Sequence, residues 1–210
     1  MGNEFGNYKN MKQTIIALTL ITMVQCAVAQ ERLSREEALK YAAVVGLNAK
    51  QLQGTPIPSN VDLKQPVAIR DGEFAGMVLP EAKLTAEALS QAGDKVIPIG
   101  QLWLLRVAPV RDGEAVSKDK LRLATIEHEG ESYTLPQCAL GVQRNSSGKL
   151  ELLVFGKEKE PLLKVALKSI EVKQELPLDL DADRDNDAAE VTLKILGKYE
   201  AKFKVTQSDV

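Results

Sequence analysis

The sequence predicts a mainly β fold: an antiparallel, sandwich-like β domain preceded by a short helix. Three observations predict it. Apolar and polar residues alternate with period two in several segments beyond residue 61, the pattern of sheets with one face on a core and one in water. Glycine-containing turn signals, among them two Asp-Gly pairs, punctuate those segments at hairpin spacing. Strand–helix alternation, which would indicate a parallel α/β sheet, is missing.

The chain opens with the pattern of an export signal. Lys12 supplies positive charge, and residues 14–24 (TIIALTLITMV) form an apolar run too short to span a bilayer as a helix. Ala27-Val28-Ala29 then gives the small-x-small pattern that a signal peptidase cuts. Residues 1–29 are therefore expected to be a signal peptide, with Gln30 as the mature N-terminus. Met11 begins a better signal than the polar leader before it, so translation from Met11 is an alternative start. Lipidation at Cys26 is disfavoured, because Gln25 stands where a small residue normally precedes a lipidated cysteine. No second long apolar run follows, so no transmembrane anchor is expected.

Cleavage after Ala29 leaves 181 of the 210 residues, enough for a sizeable core. Lys9, Lys12 and Glu4 leave with the leader, so 27 basic and 29 acidic residues become 25 and 28, a net charge of −3. That balance offers no general attraction to nucleic acid. Cys138 is then the only cysteine, so no internal disulfide can form, and a buried, inert thiol is expected.

Residues 30–60 read as a capped helix and a linker. Ser34-Arg35-Glu36-Glu37 is a capping box, with Ala38, Tyr41, Ala42 and Val45 at helical spacing and Gly46 as the expected stop. The expected role of this helix is to pack a small apolar face on its own domain. Gly54, Pro56, Pro58, Ser59 and Asn60 mark residues 51–66 as a linker.

The β domain is expected over residues 61–210, as one unit; a division into two would place its seam at 111–119. Alternation marks Leu121, Leu123 and Thr125, then Leu150, Leu152 and Val154, then Leu163, Val165 and Leu167. It returns at Val191, Leu193 and Ile195 and at Tyr199, Ala201, Phe203 and Val205. Residues 101–107 (QLWLLRV) are more continuously apolar and read as a central strand. A short helix is expected over 85–91, ended by Gly93. Arg70-Asp71-Gly72-Glu73, Arg111-Asp112-Gly113-Glu114 and His128-Glu129-Gly130-Glu131 read as hairpin turns, and Asn145-Ser146-Ser147-Gly148 as another. The similar turns and strands recur at unequal offsets, which indicates a shared vocabulary rather than a repeat.

One stretch stands out chemically. Asp179, Asp181, Asp183, Asp185 and Asp187 alternate with other residues, and Glu190 follows. Dense oxygen ligands suit a hard cation, calcium before magnesium, so these six residues are the candidate metal ligands. Asp179, Asp181, Asp183 and Glu190 fall at positions 1, 3, 5 and 12 of a segment that resembles an EF-hand loop. Arg184 stands where that loop requires glycine, and Pro177 and a strand pattern replace its flanking helices. An extended segment would hold alternate residues about 6.6 Å apart, too far to share one ion without curling. The preferred expectation is a solvated acidic loop between two strands. No other cofactor is expected.

Catalytic constellations are thin. His128 is the only histidine and is expected in a solvent-facing turn between Glu127 and Glu129. No GxSxG or glycine-rich phosphate loop occurs. Trp103, Tyr133, Phe74 and Phe155 would suit a stacking platform, but apolar surroundings make them expected core residues. The expectation is therefore an exported, non-enzymatic binding or structural module of the cell envelope or extracellular space. Its expected partner is a protein or glycan, not nucleic acid, and its location is periplasmic or secreted. The alternative is a carboxylate-dependent hydrolase acting on an extracytoplasmic polymer.

Overall fold

The structure, a computed structural model, describes residues 30–49, 56–185 and 188–209; for residues 48, 49 and 185 only the backbone is described. The expected signal peptide over 1–29, the first part of the expected linker and Asp187 therefore lie outside the described residues. In chain order the elements are β1 (Glu31–Arg32), α1 (Arg35–Ala49), β2 (Val67–Asp71), β3 (Phe74–Pro80) and α2 (Ala86–Ser90). They continue with β4 (Ile97–Leu105), β5 (Val107–Arg111), β6 (Glu114–Ala115), β7 (Leu123–His128), β8 (Glu131–Arg144) and β9 (Leu150–Phe155). The last are β10 (Leu163–Ala166), β11 (Lys168–Ser169), β12 (Leu178–Asp185), β13 (Ala188–Ile195) and β14 (Tyr199–Gln207).

The strands form two antiparallel sheets packed face to face, as the alternation predicts. The larger runs β1-β2-β3-β4-β8-β9-β10, with β7 also paired to β8. The smaller runs β12-β13-β14-β5-β6, with β11 also paired to β14. The core between them draws on Val67 to Val205, so residues from both sides of 111–119 pack in one cluster.

Which strands alternate and which are continuously apolar follows from what covers them. The smaller sheet buries one face: Val191, Leu193 and Ile195 point inward, and so do Ala201, Phe203 and Val205. Lys194, Lys202 and Lys204 occupy outer positions between them, beside a buried Thr192, and Lys202 binds Glu190 at 2.8 Å. The larger sheet is covered twice. Leu102 and Leu104 enter the core between the sheets, whereas Trp103 joins Ala38, Ala42 and Val45 of α1 in a second cluster. Ala139, Leu153 and Phe155 meet Ile57 in a third. Two buried faces explain the continuous run in β4, as for any central strand with both sides out of water.

Three local expectations are corrected. The capping box forms as read: Ser34 N–H donates to the Glu37 carboxylate at 3.1 Å and Glu37 N–H to Ser34 Oγ at 3.3 Å. Yet α1 does not stop at Gly46 but continues to Ala49. Gly46 sits inside it because a Cβ there would lie 2.4 Å from Leu63 Cδ1; its missing side chain lets the 56–66 segment approach. In β7 the phase is opposite to expectation beyond Leu123: Ala124 and Ile126 are buried and Thr125 is exposed. The reason is that α1 packs on β7 from the outer face. The run 101–107 is also not one strand. Arg106 takes φ 57, and this left-handed kink passes the chain from β4 in the larger sheet to β5 in the smaller.

The turns differ in detail. Asp112-Gly113 and Glu129-Gly130 each place two residues at positive φ, the I′ pattern, between Arg111 and Glu114 and between His128 and Glu131. In the first turn the pairing of Asp71 with Phe74 leaves Gly72-Glu73 at the tip. Asp71 thus belongs to the strand. The short helix at 86–90 forms, with Thr85 Oγ1 accepting from Ala88 N–H at 3.2 Å.

Candidate functional site

The outer face of the larger sheet carries a concave feature. A cleft of about 290 Å³ opens between α1 and the β7–β8 hairpin, over β2, β3 and β4. Its position follows from strand order: α1 returns over the sheet at β2 and β7, and the cleft lies where the small side chains Ala75 and Ala68 leave room. Met77, Trp103, Ile126 and Leu135 line it and are each less than a tenth exposed. The cleft is a half-open slot lined mostly by apolar side chains.

Its mouth is aromatic and polar. Tyr41, 39% exposed, meets the His128 ring edge-to-face with centroids 5.6 Å apart. His128 is therefore not in the turn but at the end of β7, partly covered by α1. Tyr133 lines the same mouth, and its hydroxyl donates to the Glu131 carboxylate. That bond, before any other influence, raises the Tyr133 pKa, because the neutral phenol is the donor. Arg70 binds Glu31 at 3.0 Å and its pKa is raised by that partner.

A buried polar chain runs beside the cleft floor. Trp103 Nε1 donates to Gln101 Oε1 at 3.2 Å, and Gln101 Nε2 donates to Ser59 Oγ at 2.9 Å. This satisfies the indole of a residue that is 2% exposed. Gln137, opposite Trp103 in the ladder, is 1% exposed, and its side-chain amide makes no hydrogen bond among the described residues.

The acidic residues singled out in the sequence are arranged differently. Asp179, Asp181, Asp183 and Asp185 lie not on a loop but on β12, an edge strand of the smaller sheet, and Glu190 lies on β13. Leu178 and Leu180 are fully buried beneath it, so the aspartates are the outward half of an ordinary alternation. Asp179 binds Arg32 at 2.7 Å and Asp181 accepts from Gln30 Nε2 at 3.0 Å. Glu190, opposite Asp183 on β13, is held by Lys202, which lowers its carboxyl pKa. Asp185 has only its backbone described and Asp187 lies outside the described residues. Among the described residues no three acidic, histidine or cysteine groups converge as metal ligands do.

Two further features of β12 have a structural account. Leu180 N–H donates to the Asp179 carboxylate and Ala182 N–H to that of Asp181, each at 3.0 Å. Gln30 Oε1 also accepts from Ala182 N–H at 2.8 Å. Edge amides that would otherwise invite another strand are thus occupied. Arg184 shares the inward parity of Leu180. Its guanidinium lies 5.4 Å from the Phe74 ring centroid and 3.1 Å from Asp71.

Of the other residues weighed, Cys138 is fully buried, and burial pushes its thiol pKa up to about 12. Trp103 and Phe155 are core residues as expected, whereas Phe74 and Tyr133 are half-buried. Sequence reasoning missed Tyr41, Arg70, Ala75 and Met77 as a group. They come from three separate elements and share no spacing that marks them.

No helix among the described residues is long and apolar enough to cross a membrane. No protein-family model matches the chain, and no curated protein or solved structure is significantly similar to it.

Proposed function

We propose that this protein is an exported, non-enzymatic binding module that works in the periplasm or outside the cell and takes up a projecting group of a partner protein in the α1–hairpin cleft. The observation that carries the reading is the cleft itself: a concave apolar slot on an otherwise covered sheet face, with polar groups gathered only at its mouth. The signal pattern at 12–29 supports the location. A glycan partner is less well served, because sugar stacking needs an exposed aromatic face and Trp103 is 2% exposed. Hydrolysis by paired carboxylates finds no support in this cleft, where Glu129 is the one carboxylate among the described lining residues.

The test is site-specific photocrosslinking in the native host from a benzoylphenylalanine at Tyr41. A discrete adduct in the envelope or extracellular fraction, lost when Ala75→Phe fills the cleft of a still-folded protein, is the expected result. Mass measurement of the recovered protein should place its N-terminus at Gln30. Adducts unaffected by Ala75→Phe would remove the cleft from the reading, and intact chain confined to the cytoplasm would remove export.

A further inference from the structure

Resting on that reading, we infer that the group the cleft takes is a cation carried on an apolar body: an ammonium or guanidinium joined to an aliphatic or aromatic stem. The size follows from the volume. A dry cavity of about 150 Å³ accommodates benzene, so about 290 Å³ has room for a long or aromatic side chain. The floor is neutral and apolar, formed by Met77, Trp103 and Leu135, and rewards a stem that leaves water.

The mouth decides the charge. Arg70 is the guanidinium there, and Glu31 already binds it while Glu37 lies close enough to influence it. Arg106, near Tyr133, is bound to Glu73. Glu129 lies 3.9 Å from His128 Nε2, with its side chain 85% exposed. Glu131 adds a second carboxylate beside the mouth. With its proton committed to Glu131, the Tyr133 oxygen presents lone pairs rather than a donor. Tyr41 and Tyr133 add aromatic rings, which attract cations to their faces. An anion would meet carboxylates, a spent guanidinium and an imidazole, His128, that already faces Glu129; a cation meets acceptors and rings.

Three probes of similar size separate the possibilities: benzylammonium, phenylacetate and benzyl alcohol. Trp103 is the only tryptophan in the chain and lines the cleft, so its fluorescence and its indole N–H resonance report occupancy of this site directly. The expected result is saturable binding of benzylammonium, about tenfold or more tighter than phenylacetate, the scale of a cation–π contact removed from water. High salt and the Glu129→Gln/Glu131→Gln variant should each narrow that ratio toward one. Equal affinities for the three probes, or a preference for phenylacetate, would overturn the cation and leave the cleft as a binding site. Failure of all three to move the Trp103 signals in folded protein would overturn both this inference and the binding reading.

Discussion

Arg184 and Asp71 meet across the open end of the sandwich, with Nη1 3.1 Å from Oδ2, although 113 residues separate them in the chain. One stands on an edge strand of the smaller sheet and the other on β2 of the larger. Arg32 and Asp179 make a second such crossing at 2.7 Å. Together they tie the two sheets along the side where β1, β2 and β12 lie together.

Loss of the first tie should be measurable. Arg184→Met keeps an apolar stem over Phe74 but removes the charge, and should cost about 1 kcal/mol, the upper range for a half-exposed pair. Arg184→Ala should cost more, because the stem packing goes as well. Urea denaturation of the three proteins decides it; midpoints that coincide would mean that the pair contributes nothing.

Calcium should leave the melting temperature unchanged relative to chelator. The carboxylates of β12 project from an extended strand, and Asp179, Asp181 and Glu190 are engaged by Arg32, Gln30 and Lys202. A folded-state calcium site at about 100 times its Kd would instead add about 2.7 kcal/mol. A rise of several degrees, absent from Asp181→Asn/Asp183→Asn, would return calcium to the acidic strand.

The same strand should become adhesive when its acids are removed. Asp181→Val together with Asp183→Val raises β-propensity, takes away like-charge repulsion and leaves the Ala182 amide with Gln30 Oε1 as its one remaining acceptor. The expected outcome is concentration-dependent dimers or larger species in light scattering, with the unaltered protein showing less association under the same conditions. A variant that associates no more than the parent would show that the aspartates do not guard this edge.

Cys138 should react with thiol reagents only as fast as the protein opens, since its side chain is fully buried. Its raised pKa also has a consequence for stability. Between an unfolded thiol pKa of about 8.5 and the folded value of about 12, the unfolded chain loses a proton that the native one keeps. Stability therefore falls as pH rises through that window, by up to about 1.4 kcal/mol per unit, and is unaffected by this group below it. Cys138→Ala should remove that part of the alkaline slope, and an unchanged slope would contradict it.

Much of the fold was legible because water marks it. The smaller sheet is wet on one face, so Val191 to Ile195 and Ala201 to Val205 alternate plainly. The central position of β4 was legible for the complementary reason. The misreadings arose where a local signal was outweighed. Leu178-Asp179-Leu180-Asp181 is itself an alternation, but aspartate disfavours strands and its density suggested a loop. Gly46 looked like a helix stop because nothing local announces Leu63, which approaches from the far part of the linker. The phase of β7 depended on α1, a neighbour no window of β7 contains. The cleft was least legible of all, because Tyr41, Ala75, Trp103 and Tyr133 become neighbours only when α1 lies on a finished sheet.

The kink at Arg106 also bears on the order in which the molecule can be completed. It delivers β5 to the smaller sheet, where Pro109 waits for Val205 as its partner. A chain emerging from the ribosome must therefore carry the exposed undersides of Leu102, Leu104 and Leu140 until nearly its last strand is made. Pairings of such long reach close slowly, so a nascent chain would spend much of its synthesis with a half-covered sheet. Holding it unfolded in that interval would need little help.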